Sequence, residues 1–434
     1  MPADPASTPA PPPSPTPPTP TPPRPQAPLV FMLAALLSAF ALSQAFRTVT
    51  AMLGPSLQAE FGLSGQALGA FAGLFGLSFG VAQLLMGIGL DVYGLRRTVL
   101  LAFALAVAGS ALSALAPSYG WLMAGQLLIG MGCSPAFIAS TVFIARHFPV
   151  ERFALFSGMS MSVGGLGLIF TGTPLAWVVQ HWGWRAGFWV LTALALLSWL
   201  LIWRSVHEPP PAYGSSAPRE GWGQSFARMG ALFLLPHTWG ILALGMSGYA
   251  AFLSLRGLWL GPFLIGRFGF SLVGSGNVAL VLSLLALFVP AVFGRIDPGV
   301  RRRRAWIAGV SLLMAGLFVL LAFVRGHVAA LALIVLMGLI SGYGVLQYAD
   351  VRASYPSALT GRALSLFTAA MFLGVALMQW FTGVVAAWAA QAGWETYRAV
   401  LLAIAAWLGL ASLAFRFLPA SPLLATGGSG KAAG

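Results

Sequence analysis

The sequence predicts an all-α integral membrane protein with twelve transmembrane helices in two six-helix halves. Of its 434 residues, 58% are hydrophobic and only 7% are charged, whereas a soluble domain carries about 25% charged residues. The apolar residues fall into runs of about 20, which is the length an α-helix needs to cross the hydrocarbon core. One long polar connection, residues 204–237, lies near the middle of the chain and divides it in two.

Twelve apolar runs, here called spans one to twelve, follow one another along the chain. They are predicted at about 31–57, 65–88, 98–116, 119–143, 153–178, 186–203, 238–265, 272–293, 305–324, 327–348, 362–388 and 397–417. We expect residues 29–203 and 238–418 to form the two six-helix bundles. Residues 1–28, which are rich in proline, and residues 419–434 are expected to form cytoplasmic tails, the first of them disordered.

The central connection is expected to carry a short helix on the membrane surface. Its three prolines, Pro209 to Pro211, end any helix that continues from span six. Further on, Trp222, Phe226, Met229 and Phe233 recur at spacings of four, three and four residues, which places them on one apolar face.

Basic residues are distributed unevenly between the two sets of loops. Of the 23 Lys and Arg residues, seventeen lie in the set that includes both termini and four lie in the opposite set. By the positive-inside rule, both termini are predicted to be cytoplasmic. We expect the run Arg301–Arg304 to anchor this topology, with an anionic-lipid site as the alternative. A nucleic-acid partner is not expected, because the basic residues are spread thinly between apolar runs.

Composition also argues against several kinds of site. The single cysteine, Cys133, leaves no disulfide to form, and five scattered histidines provide no Cys/His metal cluster. No nucleophile, base and metal ligand gather at one depth, so we predict neither an enzyme nor a cofactor. All nine acidic residues, Asp350 among them, fall outside the predicted hydrocarbon runs. Proton coupling through a buried acid of the protein is therefore not expected.

The two halves of the chain repeat one another. Six residues around the end of span one recur 207 residues later: Leu53, Gly54, Pro55, Phe61, Gly62 and Ser64 correspond to Leu260, Gly261, Pro262, Phe268, Gly269 and Ser271. The loop after span two shares a second pattern with the loop after span eight: Gly87, Asp91, Gly94, Arg96 and Arg97 correspond to Gly294, Asp297, Gly299, Arg301 and Arg302. Hydrophobicity alone does not produce a parallel repeat with a shared loop motif.

With this loop motif in both halves, residues 29–418 resemble the major facilitator superfamily of secondary transporters. The segments GLWLGPFL in span seven and GRALSLFTAAMFLGVALMQWFTG in span eleven are similar to bacterial members of it. The resemblance implies two bundles around a central cavity lined by spans one, four, seven and ten, alternating access, and a place in a bacterial inner membrane. Its partners would be the lipid bilayer, a small-molecule substrate and a coupling ion or counter-anion, and we expect a monomer.

Two departures from relatives argue against a proton-driven drug exporter. Gln126 stands in span four where many relatives have an arginine. Span five has Gly158 and Gly167 at a suitable spacing, but it lacks the Gly-Pro pair that is typical of drug–proton antiporters.

Two arginines lie within the spans, Arg47 in span one and Arg256 in span seven. An arginine at mid-bilayer costs roughly 2.5 to 3.5 kcal/mol on insertion scales, and no buried acid is predicted to offset that cost. Because spans one and seven are equivalent, the two guanidinium groups are expected to face the cavity from opposite sides and to hold an anion. Ser254, rather than Arg256, lies 207 residues after Arg47, so ideal helices would turn the two side chains apart. We expect Pro55 and Pro262 to relieve this offset by distorting the helices; snorkelling toward the membrane surface is the alternative.

Uncharged polar and aromatic residues accompany the arginines on the predicted cavity helices: Gln44, Thr48, Gln126, Tyr249, Trp259, Tyr343 and Gln347. They are candidates for orienting a ligand, and packing or interhelical hydrogen bonding is the alternative for each of them. Four glycines of span two are expected to allow close contact between helices: Gly69, Gly73, Gly76 and Gly80.

The loop motif predicts a gate between the bundles. Asp91 follows span two and Arg362 begins span eleven, while Asp297 follows span eight and Arg152 begins span five. Each carboxylate near a helix N-terminus and an arginine is a candidate latch, and the resemblance implies the same role for the loop aspartate. A solvated loop charge is the alternative.

These patterns predict a secondary transporter for a small organic or inorganic anion. Two alternatives remain open from the sequence, an exporter of neutral or amphiphilic compounds and a sensor or scaffold that keeps the carrier fold without transport.

Overall fold

The computed structural model describes residues 26–148, 153–207 and 230–426. Within these ranges the regular structure is helical and includes no strand. Eleven helical segments are long and apolar enough to cross a membrane. One of them, Met159–Ser205, is 47 residues long, about twice the length that one crossing needs, and it is interrupted at Gly183, where φ is +80°. This segment therefore contains spans five and six, and the described chain has the twelve predicted spans.

The helices lie close to the predicted runs. Spans one to six consist of α1 (Gln26–Thr48) with α2 (Thr50–Phe61), α3 (Gly65–Val92), α4 (Leu95–Ala114), α5 (Tyr119–Cys133) with α6 (Ala136–His147), and α7 (Phe153–Phe170) with α8 (Thr173–Ser205). Spans seven to twelve consist of α9 (Pro236–Ser254) with α10 (Leu260–Phe268), α11 (Leu272–Arg295), α12 (Val300–Phe323), α13 (His327–Ile340) with α14 (Gly344–Ser354), α15 (Ser357–Gln391) and α16 (Thr396–Phe417), and a short α17 (Leu423–Thr426) follows. Most of the predicted proline-rich tail and the predicted surface helix, apart from Phe233, lie outside the described residues.

Spans one, four, seven and ten, which the resemblance assigns to the cavity, are each interrupted near their middle, and span five is interrupted at residues 171–172. Span one breaks at Val49 and span seven carries a π-helical turn at Leu255–Trp259. Span four breaks after Cys133, ahead of a proline, and span ten contains a 3-10 turn at Ser341–Tyr343. The offset of 207 residues relates the interruptions in each pair. Irregular backbone inside a membrane is tolerated where it lines a cavity or is buried in protein.

The two halves pack closely along spans two and eleven. A Cβ atom added at Gly69 would lie 2.5 Å from the carbonyl oxygen of Gln379, and one at Gly73 would lie 2.7 Å from that of Ala376. These distances confirm that the glycines of span two allow a close helix contact. The helix that packs against them is span eleven, which belongs to the other half. The close contact runs from the start of span two to Gly80, which packs against Phe372.

We call the end of the molecule that carries Arg185 and Arg267 the arginine-poor end, and the opposite end the arginine-rich end. At the arginine-poor end each half ties its first span to its last. Arg185 Nη1 lies 2.7 Å from Glu60 Oε1 in the first half, and Arg267 Nη1 lies 3.6 Å from Glu395 Oε2 in the second. The ion pair therefore recurs in both halves with the two charges exchanged, because Glu60 and Arg267 occupy equivalent positions in the repeat. The halves also contact each other at this end, where a Cβ atom added at Gly65 would lie 2.7 Å from the Cβ of Ala386.

Candidate functional site

Arg47 lies in the last turn of α1, beside the interruption of span one. Its guanidinium carbon is 4.8 Å from the ring centroid of Phe79 and 4.6 Å from that of Phe372. It donates hydrogen bonds to the Tyr249 hydroxyl and to the Ser43 hydroxyl, both at 3.4 Å, which is long for a charged donor. Nε is buried without a hydrogen-bond partner, and within the described ranges no ion pair joins Arg47 to a carboxylate. This cation is therefore incompletely coordinated.

Spans four and ten complete the surroundings of Arg47. Cys133, at the interruption of span four, lies beside Ser43 and within electrostatic range of Arg47. Tyr348 of span ten lies within electrostatic range of Arg47, and 37% of its surface is exposed. Arg47 is itself half-buried rather than fully buried, which indicates open space next to the guanidinium. Spans one, four, seven and ten thus meet here, and the sequence provided no signal for Phe79, Phe372 or Tyr348.

Arg256 points away from this space. It lies in the π-helical turn of span seven and is only 3% exposed. Its Nη2 donates to the carbonyl oxygen of Leu168 at 3.1 Å, to the Ser283 hydroxyl at 3.0 Å and to the Thr171 hydroxyl at 3.4 Å, and Nη1 is buried without a partner. Its hydrogen bonds go to spans five and eight, whereas Arg47 contacts spans two, seven and eleven. The two guanidinium groups, expected to face one another across the cavity, are thus directed to different helices in this conformation.

The register between the two repeats explains this divergence. The residue equivalent to Arg47 is Ser254, which is fully buried, and Arg256 follows two residues later. The π-helical turn changes the direction in which its side chain projects. Pro55 and Pro262, expected to correct the offset, lie beyond the two interruptions and do not bring the arginines to face each other.

Two of the candidate ligand residues make hydrogen bonds between spans. The hydroxyl of Thr48 lies 2.7 Å from that of Thr171, which also accepts from Arg256. The indole of Trp259 donates to the Thr382 hydroxyl at 3.0 Å. In this conformation Thr48 and Trp259 therefore serve in interhelical hydrogen bonding, which was the alternative to a role in orienting a ligand.

Buried amides provide further polar groups near the centre. Gln126 is 1% exposed, and neither its amide oxygen nor its nitrogen has a partner within the described chain. The amide oxygen of Gln44 is also unpartnered. Gln347 and Tyr343 lie side by side against Gly248, where an added Cβ would be 2.7 Å from Gln347 Nε2 and 2.9 Å from Tyr343 Oη. Unpartnered buried amides are costly, so these groups are suited to bind a ligand or water.

The loop motif has the same backbone form in both halves. Gly94 and Gly299 both have φ of +82°, a conformation that favours glycine, and each precedes the first residue of a helix. Asp297 accepts hydrogen bonds from Arg303 at 2.6 to 3.1 Å and from the backbone N–H of Gly299 at 3.1 Å. The bound Arg303 guanidinium is the main reason that the pKa of Asp297 lies below its ordinary value. The observed partner of Asp297 thus belongs to its own half.

The predicted latches remain predictions. Arg152, the expected partner of Asp297, and the side chain of Asp91 lie outside the described residues. Arg96, another residue of the motif, donates to the carbonyl oxygen of Trp203 at 2.9 Å and so joins spans three and six. Arg97, Arg301 and Arg302 are exposed, and Arg362 is half-buried.

Asp350 corrects one expectation. Span ten continues past its predicted end to Ser354, which places Asp350 inside the helix, and its exposure is 2%. The helix continues because the residues after the predicted end pack against spans nine and eleven, which hydropathy alone does not report. Not all acidic residues therefore lie outside the spans.

Interrupted helices surround an incompletely coordinated cation between two repeated bundles, which is an arrangement suited to a membrane carrier. The Major Facilitator Superfamily model matches residues 35–378, more than half of the chain, and the protein belongs to that superfamily. It is thus a multi-pass membrane protein of a superfamily whose members are transporters and not enzymes.

The relatives include carriers for several kinds of solute. The chain is 22% identical to the hexuronate transporter of Bacillus subtilis (strain 168), over 60% of this chain and 62% of that protein. It is 26% identical to a probable L-galactonate transporter of Escherichia coli (strain K12), over 52% of each. It is 33% identical to the facilitated glucose transporter member 10 of Mus musculus, over 38% of this chain and 30% of that protein. Each match spans less than two thirds of the relative.

Solved structures share the fold over nearly the whole chain. An inward-facing, unoccupied bacterial homologue of the human lysosomal transporter Spinster superimposes with a TM-score of 0.74 at 19% identity, covering 90% of this chain and 97% of that one. A D-xylose–proton symporter gives a TM-score of 0.69 at 16% identity, covering 91% and 98%.

Proposed function

We propose that this transporter moves a small hydroxylated organic anion, of the carboxylate class, across the bacterial inner membrane by alternating access, with both termini in the cytoplasm. The observation that carries this proposal is Arg47, a cation at the centre of the bundles with long hydrogen bonds, no carboxylate partner among the described residues and open space beside it.

The chemistry of guanidinium favours a carboxylate at this position. Its N–H groups lie in one plane and match the two oxygens of a carboxylate, with hydrogen bonds of about 2.7 to 2.9 Å. The ring centroids of Phe79 and Phe372 are 4.2 Å apart. Both rings lie against the Arg47 guanidinium, where they exclude water. Removing water strengthens the attraction between Arg47 and an anion.

The amides supply the rest of the expected recognition. Gln44, Gln126 and Gln347 carry unpartnered donors or acceptors, which suit the hydroxyl groups of a sugar acid. A probable galactarate/D-glucarate transporter of Bacillus subtilis (strain 168) bears the names of such acids. A gallate transporter of Pseudomonas putida is named for an aromatic hydroxy acid, which is also a hydroxylated carboxylate. The glucose and xylose carriers favour the alternative, a neutral sugar bound by the same amides.

Uptake into proteoliposomes tests the substrate class. Labelled galacturonate and galactonate are compared with glucose and xylose, using wild type, Arg47→Lys and Arg47→Gln at equal amounts of reconstituted protein. Loss of a charged hydrogen bond is worth about 1.5 to 3 kcal/mol, so we expect apparent affinity for the acids to fall about 10- to 150-fold in Arg47→Gln. Arg47→Lys should also weaken binding, because lysine cannot form the planar two-bond contact.

Arg398→Gln is a matched control. Arg398 also lies over an aromatic ring, that of Phe323 at 5.3 Å, but it is exposed at the arginine-poor end. Affinity for the acids should be unchanged in this variant. Uptake of uncharged sugars alone, or equal affinity for the acids in wild type and both Arg47 variants, would refute the proposed anion class.

We propose that Arg256 affects binding of the anion mainly indirectly. Its Nη2 holds spans five and eight, and it acts on affinity through the position of these helices. The double variant of Arg47 and Arg256 distinguishes this from joint binding. Additive losses of affinity indicate separate roles, and a loss smaller than the sum indicates that both arginines hold one ligand.

A further inference from the structure

Asp350 is a buried carboxylate near the arginine-rich end of span ten. It is 2% exposed, and neither carboxylate oxygen has a hydrogen-bond partner within the described chain. Arg304 forms an ion pair with it, but Nη1 lies 3.8 Å from Oδ2, beyond hydrogen-bond distance. An ionised carboxylate removed from water normally needs hydrogen bonds as well as a counter-charge.

The two neighbouring arginines are held by other groups. Nη2 of Arg304 donates to the carbonyl oxygen of Phe415 at 2.7 Å, and its guanidinium lies 4.1 Å from the ring of that residue. Arg303 is bound to Asp297 through Nε and Nη2. Asp350 therefore receives a partial counter-charge but no fixed geometry, and its carboxyl group can change protonation state without breaking a hydrogen bond.

The other surroundings of Asp350 are mostly apolar. A small cavity beside it is lined by residues of spans seven, ten, eleven and twelve: Ile241, Leu244, Gln347, Val351, Phe367 and Phe415. Of the titratable and charged groups on the surrounding elements, Arg303 and Arg304 of span nine and Tyr355 after span ten interact with Asp350. His237 of span seven and Arg416 of span twelve interact with Arg304.

A polar face of span ten leads from Asp350 toward the centre. Gln347 precedes it by three residues and Tyr343 precedes Gln347 by four, so the three side chains lie on one face of the span. Gln347 lines the same small cavity as Asp350. Its side chain also contacts Gly248 next to Tyr343. These groups connect the carboxylate with the candidate substrate site.

We propose that Asp350 is a proton-binding site whose occupancy is linked to the transport cycle. The carboxylate takes one proton from water when its cavity opens and becomes a neutral carboxyl group, which no longer requires the counter-charge of Arg304. It returns the proton to water when access changes. For a singly charged anion, one proton per substrate gives symport without net charge. This stoichiometry rests on the proposed function, whereas the proton site does not.

Infrared difference spectroscopy of the purified protein between acidic and neutral pH tests the site without a substrate. A buried protonated carboxyl group gives a C=O stretching band that is separate from those of hydrated carboxyl groups. We expect the band in wild type, its loss in Asp350→Asn and its retention, at a shifted position, in Asp350→Glu. Glu395→Gln is the matched control, because it removes a partly exposed carboxylate at the opposite end, away from Arg303 and Arg304, and it should retain the band.

Size-exclusion elution and thermal unfolding establish whether the variants fold. If Asp350→Asn does not fold, Asp350→Glu provides the test. A band that is absent from wild type, or that persists unchanged in Asp350→Asn, overturns the proton site whatever substrate is transported. With a transported carboxylate in proteoliposomes, Asp350→Asn should lose stimulation by an inward proton gradient and keep exchange of labelled for unlabelled substrate. Undiminished stimulation in this variant overturns the link to transport.

Discussion

Replacing Gly69 with alanine should open the arginine-poor end of the carrier. The new Cβ would lie 2.5 Å from the carbonyl oxygen of Gln379 and 2.8 Å from the Cα of Gly383. Both are backbone atoms that cannot rotate away, so spans two and eleven must separate by about 1 Å to restore ordinary contact. Such overpacking costs about 1 to 3 kcal/mol, and the cost arises only while the two spans are in contact.

The gain in helix propensity from Gly to Ala is about 1 kcal/mol, but it is equal in both conformations and does not affect their ratio. The equilibrium should therefore shift by about 5- to 150-fold toward the conformation in which the arginine-poor end is open.

Distances between spin labels measure this shift. Ser118→Cys and His327→Cys place labels on exposed residues of opposite halves at the arginine-poor end, in a background with Cys133→Ser. The population of long distances should rise in Gly69→Ala. Gly316→Ala is the control, because an added Cβ there meets nothing within 4 Å. Identical distance distributions in the Gly69 and Gly316 variants would show that the glycine contact does not hold this end closed.

Two further predictions concern stability, measured by thermal unfolding in detergent. Asp297→Asn leaves the buried Arg303 without its carboxylate and should cost about 1.5 to 3 kcal/mol at neutral pH. Because the pKa of Asp297 is lowered in the folded protein, its stabilisation is complete above the unfolded value of about 3.9 and is lost as pH falls through the lower folded value, so variant and wild type should converge in acid. A constant difference down to the most acidic pH would contradict this. Glu60→Gln breaks an ion pair with Arg185 whose side chains are 40% and 44% exposed, and it should cost only about 0.2 to 1 kcal/mol; a loss of several kcal/mol would show that this contact holds the bundle together.

The sequence by itself determined the spans, the repeat and the presence of two arginines within the membrane. These features depend on local chemistry, because each helix enters the hydrocarbon according to its own length and polarity. The glycine spacing of span two also sufficed to predict a close helix contact, since only a helix lacking side chains on one face permits it.

Only the tertiary structure decided which helix each polar group meets. Arg47 and Arg256 diverge because a π-helical turn and a two-residue offset set the direction of a side chain, and hydropathy has no information about direction. Asp297 binds Arg303 of span nine in its own half, although its position after span eight is equally compatible with a partner in the other half. Asp350 is buried because span ten continues among spans seven, nine, eleven and twelve, and burial by neighbouring helices is a property of the assembled bundle rather than of any one segment.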